Sequence, residues 1–449
     1  MGRAAWVSYP DDMTVPQLSP DFIAAITSQL GAEAAEFLAT YEHPATYGLR
    51  VNPAKSSLEQ LRELTGWTLE PIPWCPTGAC VDPANRAGSH PYHAAGLYYL
   101  QEPTAMAVVE AARIQHGDAV LDLAAAPGGK ATQAAVAIGP HGVLIANEIH
   151  PARIKALGEN LERWGSAPVV VTNATPEQLR RVGPAFDRVI VDAPCSGEGL
   201  FRREPEARAE WSPARVAGSA DRQREILAAA IDLVRPGGLL VYSTCTFNEQ
   251  ENEGVVDSLL AGHTEWRLDE RLRFWPHHVL GEGHVVSRLV RAGSTDERGP
   301  VRTSESNDPS VRAAWDRFAG EHFERDPIAH LPGRLIWRSD RLMLATDHTL
   351  DLAGVSVVRD GLWVGERKPG RFEPSHALAL AIDAGVARNR LDLDVDGARR
   401  WIAGEPVSAA GVAGWTLVTV DGFSLGWGKR TGATVKNHYP KGLRRLGRP

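Results

Sequence analysis

The sequence is poor in cysteine. Four in 449 residues, Cys75, Cys80, Cys195 and Cys245, exclude a disulfide-stapled fold and read as the reduced thiols of a cytosolic protein. No window approaches the roughly 20 apolar residues of a membrane-spanning helix, so no membrane is expected as a partner. The opening MGRAAWVSYPDDM has no apolar stretch of signal-peptide length, and the expected location is the cytoplasm. An excess of positive charge is missing too: 48 Lys+Arg against 55 Asp+Glu leave a net charge of −7. That excludes a polycation that coats nucleic acid by charge alone, so any RNA contact must be a local patch. No repeat of fixed period occurs, which excludes a solenoid.

What is present is ordinary globular usage, 43% apolar and 23% charged. Residues 1–98 read as a small mixed domain, with Ala/Leu-rich helical spacing over 21–40 and a Pro/Gly/Cys/His-rich loop over 71–93. Residues 99–292 change character. AVLDLA precedes GGKATQAAVAI, VLIANE precedes PARIKALGENLERWG, and VVVTN precedes PEQLRRV. RVIVDA is followed by DRQREILAAAIDLV, and LLVYST by NEQENEGVVDSLL. Strands alternating with helices predict an α/β, Rossmann-like parallel sheet covered on both faces. WRLDERLRF and HVVSRLV would close it as an extended pair. Polar residues from 293 open a linker assigned to 293–335, and 336–449 read as a β-rich domain.

Chemistry gathers at the strand ends. Asp122, Leu123 and then Ala124, Ala125, Ala126, Pro127, Gly128, Gly129 and Lys130 form a strand–helix turn. Its glycines let backbone approach a ligand, and the helix start offers unpaired N–H groups. The pattern fits neither the dinucleotide nor the triphosphate motif. Glu148 ends the second strand, where an acid can bond ribose hydroxyls, and Asn173 ends the third, where it could meet an adenine edge. The fourth strand ends in Asp192-Ala-Pro-Cys195-Ser-Gly-Glu-Gly and the fifth in Ser-Thr-Cys245-Thr, which brings two cysteines to the same edge.

DLAAAPGGK, ANE, VDAPCSGEG and YSTCT, in this order, resemble the Nol/Nop/Sun-type RNA (cytosine-5-)methyltransferases. YGLRVNP, YYLQEPTAM, RFWPH and GEG at 281–283 extend the likeness, and the C-terminal stretches are similar to the bacterial RsmF/YebU branch that modifies 16S rRNA. Two departures stand out: Asn173 where many relatives carry aspartate, and His284 where an aromatic is common.

The resemblance implies S-adenosylmethionine as cofactor. Ala124 to Lys130 would wrap its methionine part and Glu148 its ribose, with Arg153 a further contact and Asp192 beside the methyl donor and the base. It also implies a PUA-like RNA-binding C-terminal domain, an RNA-binding role for the N-terminal one, and a monomer acting on RNA, not DNA. Carbon 5 of cytosine cannot attack a methyl group unaided, but a thiolate adding to carbon 6 makes it an enamine carbon. The residues alone leave the two cysteines unordered. The resemblance makes Cys245 the nucleophile and Cys195 the residue that assists release, and an acid near ring nitrogen 3, assigned to Asp192, would favour addition. Rival readings are a transfer-RNA or large-subunit rRNA enzyme of the same chemistry, and a catalytically idle RNA-binding assembly factor.

Cys75, Cys80, His90 and His93 lack the usual zinc spacing, and no metal is expected. Residues 427–449 hold Lys429, Arg430, Lys436, Lys441, Arg444, Arg445 and Arg448 without an acid, with Trp427, His438 and Tyr439 interleaved. This segment suits phosphate contact and base stacking.

Overall fold

The computed structural model describes residues 16–166, 169–294, 309–348 and 350–444. Its centre is an eight-stranded sheet. In chain order the strands are β1 (Ala119–Asp122), β2 (Val143–Asn147), β3 (Val169–Thr172), β4 (Phe186–Asp192), β5 (Val234–Thr244), β6 (Trp266–Phe274), β7 (His284–Arg291) and β8 (Val357–Asp360). They lie side by side as β6-β7-β5-β4-β1-β2-β3-β8.

The pairs from β3 to β5 across the centre are all parallel. Every residue of β2 and β3 is buried, as expected where helices cover both faces of a parallel sheet. Parallel pairing sends the carboxyl ends of β1 to β5 to one edge, where Asp122, Glu148, Asn173, Asp192 and Cys245 emerge. β6 and β7 add an antiparallel hairpin beside β5.

The N-terminal unit has helices at Pro20–Leu30 and Ala34–Ala39 and a four-stranded antiparallel sheet. Beyond β7 lie a four-stranded sheet that opens at Arg334–Arg338 and a five-stranded sheet built around Gly414–Val420 and Phe423–Thr431.

Three features depart from the sequence reading. β8 comes from the C-terminal part yet pairs antiparallel with β3, extending the central sheet. Within the stretch assigned as linker, Pro309–His322 is a helix; residues 295–308 lie outside the described residues. Its Val311, Trp315 and Phe318 pack with Leu342, Val364, Trp415 and Trp427, so this helix belongs to the C-terminal core.

Third, the two ends of the chain share one core. Leu49, Val51 and Tyr98 cluster with Trp401, Val418, Leu425 and Tyr439, and the Tyr92 hydroxyl donates to Asp421 at 2.6 Å. Among the described residues, no helix is long and apolar enough to cross a membrane.

Trp315 is 0% exposed and its indole N–H donates to Asp326 at 3.1 Å. Trp315→Ala should lower unfolding stability by about 3–5 kcal/mol in a denaturant titration. A loss below about 1 kcal/mol would return this stretch to a linker.

Candidate active site

The loop after β1 is braced from several sides. Ala125 N–H donates to the Asn147 carbonyl at 2.7 Å. Gly128 takes a φ of +118°, a backbone that glycine adopts at little cost, and starts the helix Gly129–Ala137. Arg50, buried in the N-terminal sheet, donates to the Gly129 carbonyl at 3.0 Å and to Thr132 at 2.7 Å.

Asn147 is a residue the sequence reading missed. Its amide donates to the carbonyls of Leu123 and Ala174, and its oxygen accepts from Thr172 and the Ala174 N–H, so one side chain ties the ends of β1, β2 and β3. An Asn before the acid of ANE was the available signal.

Asp122 is fully buried and neither carboxylate oxygen has a hydrogen-bond partner. Burial pushes its carboxyl up to about 7 against the pull of the nearby Lys130 ammonium. Glu148 is 1% exposed. One of its oxygens accepts from the His150 N–H at 2.8 Å; the other lies 3.2 Å from the Arg153 guanidinium without accepting a hydrogen bond. Arg153 also donates to the Ala126 carbonyl at 2.5 Å, so it links the loop to the acid. Asn173 commits its amide nitrogen to the carbonyls of Glu148 and Ile149.

Asp192, at the end of β4, faces three donors. Lys130 Nζ lies 2.6 Å from one oxygen. Ser243 donates to the other at 2.9 Å, and His284 Nε2 stands 3.4 Å from it. Burial raises the Asp192 carboxyl, but Lys130 and His284 outweigh it and hold the group well below the usual carboxylate range. Beside it, the Lys130 ammonium is held above its ordinary value by Asp192 against burial.

Past Asp192 and Ser243, register partners on β4 and β5, the two cysteines meet. Cys195 Sγ and Cys245 Sγ are 3.3 Å apart. The contact with Cys245, then burial, raises the Cys195 thiol well above the ordinary value. Either sulfur can donate across this contact.

Two buried carboxylates unmarked in the sequence reading hold these loops. Glu198 accepts from the backbone of Phe247 and Asn248, the Asn248 amide and the Trp211 indole. Glu251 accepts from the Ser196 N–H, Gln223 and Asn248. Gly199 N–H donates to the Cys245 carbonyl at 2.8 Å, and a Cβ on Gly199 would stand 2.9 Å from that oxygen. Side chains longer than hydrogen do not fit between the loops. Residues 201–211, with three Arg and three Glu, are tied down as well: Arg202 pairs with Glu282 at 2.8 Å.

The C-terminal segment differs from expectation. Trp427 is 3% and Tyr439 5% exposed, so both are core residues and unavailable to stack bases. Lys436, Lys441 and His438 are exposed, and Lys429 lies over the Trp415 ring. Arg445 and Arg448 lie outside the described residues.

Comparison with known proteins agrees with this geometry. The family of 16S rRNA methyltransferase RsmB/F matches residues 109–289. The N-terminal domain of 16S rRNA methyltransferase RsmF matches 18–103, the RsmF first C-terminal domain 317–382 and the RsmF PUA domain 388–445. Ribosomal RNA small subunit methyltransferase F of Serratia proteamaculans is 31% identical, over 96% of this chain and 97% of that protein. The namesake of Escherichia coli O81 is 33% identical, over 92% and 93%.

The chain belongs to the ribosomal RNA small subunit methyltransferase F family.

Among solved structures, a methyltransferase homologue from Pyrococcus horikoshii superposes with a TM-score of 0.55 at 25% identity, covering 61% of this chain and 95% of that one. NSun6 from the same organism, solved with SFG, shares the fold at a TM-score of 0.55 and 21% identity, covering 62% and 99%. The residues at this edge of the sheet fit S-adenosylmethionine, the cofactor of such methyltransferases. The unsatisfied oxygens of Asp122 and Glu148 are acceptors waiting for ligand donors, and the cofactor offers an ammonium and two ribose hydroxyls.

Glu148→Ala should weaken S-adenosylmethionine binding by about 1–3 kcal/mol in titration calorimetry. Unchanged affinity would move the ribose to another group.

Proposed function

We propose that the chain makes 5-methylcytosine in small-subunit ribosomal RNA through a covalent adduct between Cys245 and carbon 6 of the base. Family membership carries the coarser part, a ribosomal RNA methyltransferase that uses S-adenosylmethionine. The single observation that supports the finer part is the 3.3 Å contact between Cys195 and Cys245 at the strand edge that also holds Asp192 and Lys130; the family resemblance orders the pair, with Cys245 as nucleophile.

The chemistry follows from that order. S-adenosylmethionine supplies an electrophilic methyl group. The Cys245 sulfur bonds to carbon 6, carbon 5 becomes nucleophilic, and it takes the methyl. Asp192 as a carboxylate is an acceptor only and matches the exocyclic amino group of cytosine, whereas a uracil would set a carbonyl oxygen against it. The Lys130 ammonium is a donor beside it, suited to the ring nitrogen or carbonyl that gains electron density in the adduct.

With Cys245 bonded to carbon 6, the Cys195 thiolate accepts the proton on carbon 5 and Cys245 leaves as its thiolate. The target base must leave its stack to reach the sulfur.

Both strand-end cysteines and the charged pair are in place, which favours an enzyme over an idle assembly factor. The matched PUA domain with its exposed lysines supports RNA as the partner.

Cys245→Ala should be inactive and give no RNA crosslink on denaturing gels. Cys195→Ala should transfer the methyl and stall with RNA attached, the band depending on S-adenosylmethionine. A band from Cys245→Ala instead would reverse the two roles. Because deleting residues 427–449 would remove core residues, the RNA contact is better tested by a triple Lys429/Lys436/Lys441→Ala variant. It should weaken RNA binding and flatten its dependence on salt. An unchanged slope would locate the phosphate contacts elsewhere.

A further inference from the structure

We propose that Cys195 and Cys245 are also an oxidation site, a dithiol that a hydroperoxide converts to an intramolecular disulfide while no RNA occupies the pocket. The sulfurs stand 3.3 Å apart. A disulfide needs them at about 2.05 Å, so the gap to close is about 1.3 Å, within reach of a side-chain rotation.

Both loops leave adjacent parallel strands whose last partners are Asp192 and Ser243. They are then tied by the Gly199–Cys245 backbone bond, by Ser196 to Thr246 at 2.9 Å, and by Glu198 to Phe247 and Asn248. These ties hold the two cysteine loops side by side. Neither cysteine is fully buried, and Pro194 beside Cys195 is exposed, so a molecule the size of hydrogen peroxide has access.

Oxidation starts at Cys245, whose thiolate attacks one peroxide oxygen. An S–O bond forms, the O–O bond breaks and hydroxide leaves, so the sulfur is oxidised and the peroxide reduced. The Cys195 sulfur then attacks the Cys245 sulfenic acid. The S–S bond forms, the S–O bond breaks, and the hydroxyl departs with the Cys195 proton as water. The product occupies the sulfur that carbon 6 requires, so methylation stops until a thiol reductant reverses the bond. An RNA adduct on Cys245 blocks the same step.

The other two thiols serve as internal references. Cys75 is buried, and burial holds its thiol above the ordinary value. Burial, with Glu70 and Glu102 nearby, pushes Cys80 up to about 11.

The test treats the full chain with hydrogen peroxide, blocks free thiols with iodoacetamide and maps the peptides by mass. The free thiols should fall from four to two. The Cys195 and Cys245 peptides should be joined, and Cys75 and Cys80 alkylated. Dithiothreitol should restore all four thiols together with any methyl transfer. In Cys195→Ser no joined peptide should form, and Cys245 should be labelled by dimedone as its sulfenic acid. The inference is overturned if Cys195 stays alkylatable while Cys245 is oxidised. It is equally overturned if neither thiol reacts at peroxide doses that oxidise Cys245 in Cys195→Ser, or if neither protein reacts at all. Because thiols are counted directly, a failure of the methylation reading would leave this result intact.

Discussion

The ion pair between Lys130 and Asp192 at 2.6 Å joins the two halves of the site. Lys130 belongs to the helix that begins at the loop after β1, and Asp192 to the end of β4 beside the cysteines. The Lys130 side chain is 13% and that of Asp192 31% exposed, so loss of either partner leaves a partly desolvated charge. The pair therefore sets the distance between the loop assigned to the cofactor and the thiols. It also holds the Asp192 carboxyl below the usual carboxylate range.

The central sheet was legible because parallel strands buried on both faces are continuous apolar runs, as VLIAN and VVVT are. The site was legible because its residues sit in short stretches at strand ends, where one topology gathers them. The charge state of Asp192 was not legible. It depends on Lys130, 62 positions away in the chain, and on His284, 92 away.

Trp427 and Tyr439 mislead for a related reason. Aromatics among lysines fit an RNA surface, but the Trp427 indole donates to the Ser375 carbonyl inside the C-terminal core, and Tyr439, past the last strand, packs into the core shared with the N-terminal sheet. Likewise β8 reads as one more strand of a β-rich domain until its pairing with β3 is seen. The polar run before Pro309 hides a helix whose apolar face needs the far C-terminal sheets to bury it.

The terminal units do more than flank the catalytic sheet. Arg50 of the N-terminal sheet braces the loop after β1, and that same sheet shares its core with the last strands of the chain. Damage in the C-terminal core thus has a packed route to the cofactor loop. Glu33 of the N-terminal helices also pairs with His277 and His278 at 3.2 and 3.0 Å, just ahead of Gly281–Gly283.

The central claim is that the site reads cytosine and methylates its carbon 5. The direct measurement is nucleoside analysis of small-subunit ribosomal RNA after incubation with the protein and methyl-labelled S-adenosylmethionine. The account predicts label in 5-methylcytidine alone. Label in 5-methyluridine, or on a ring or exocyclic nitrogen, would contradict it.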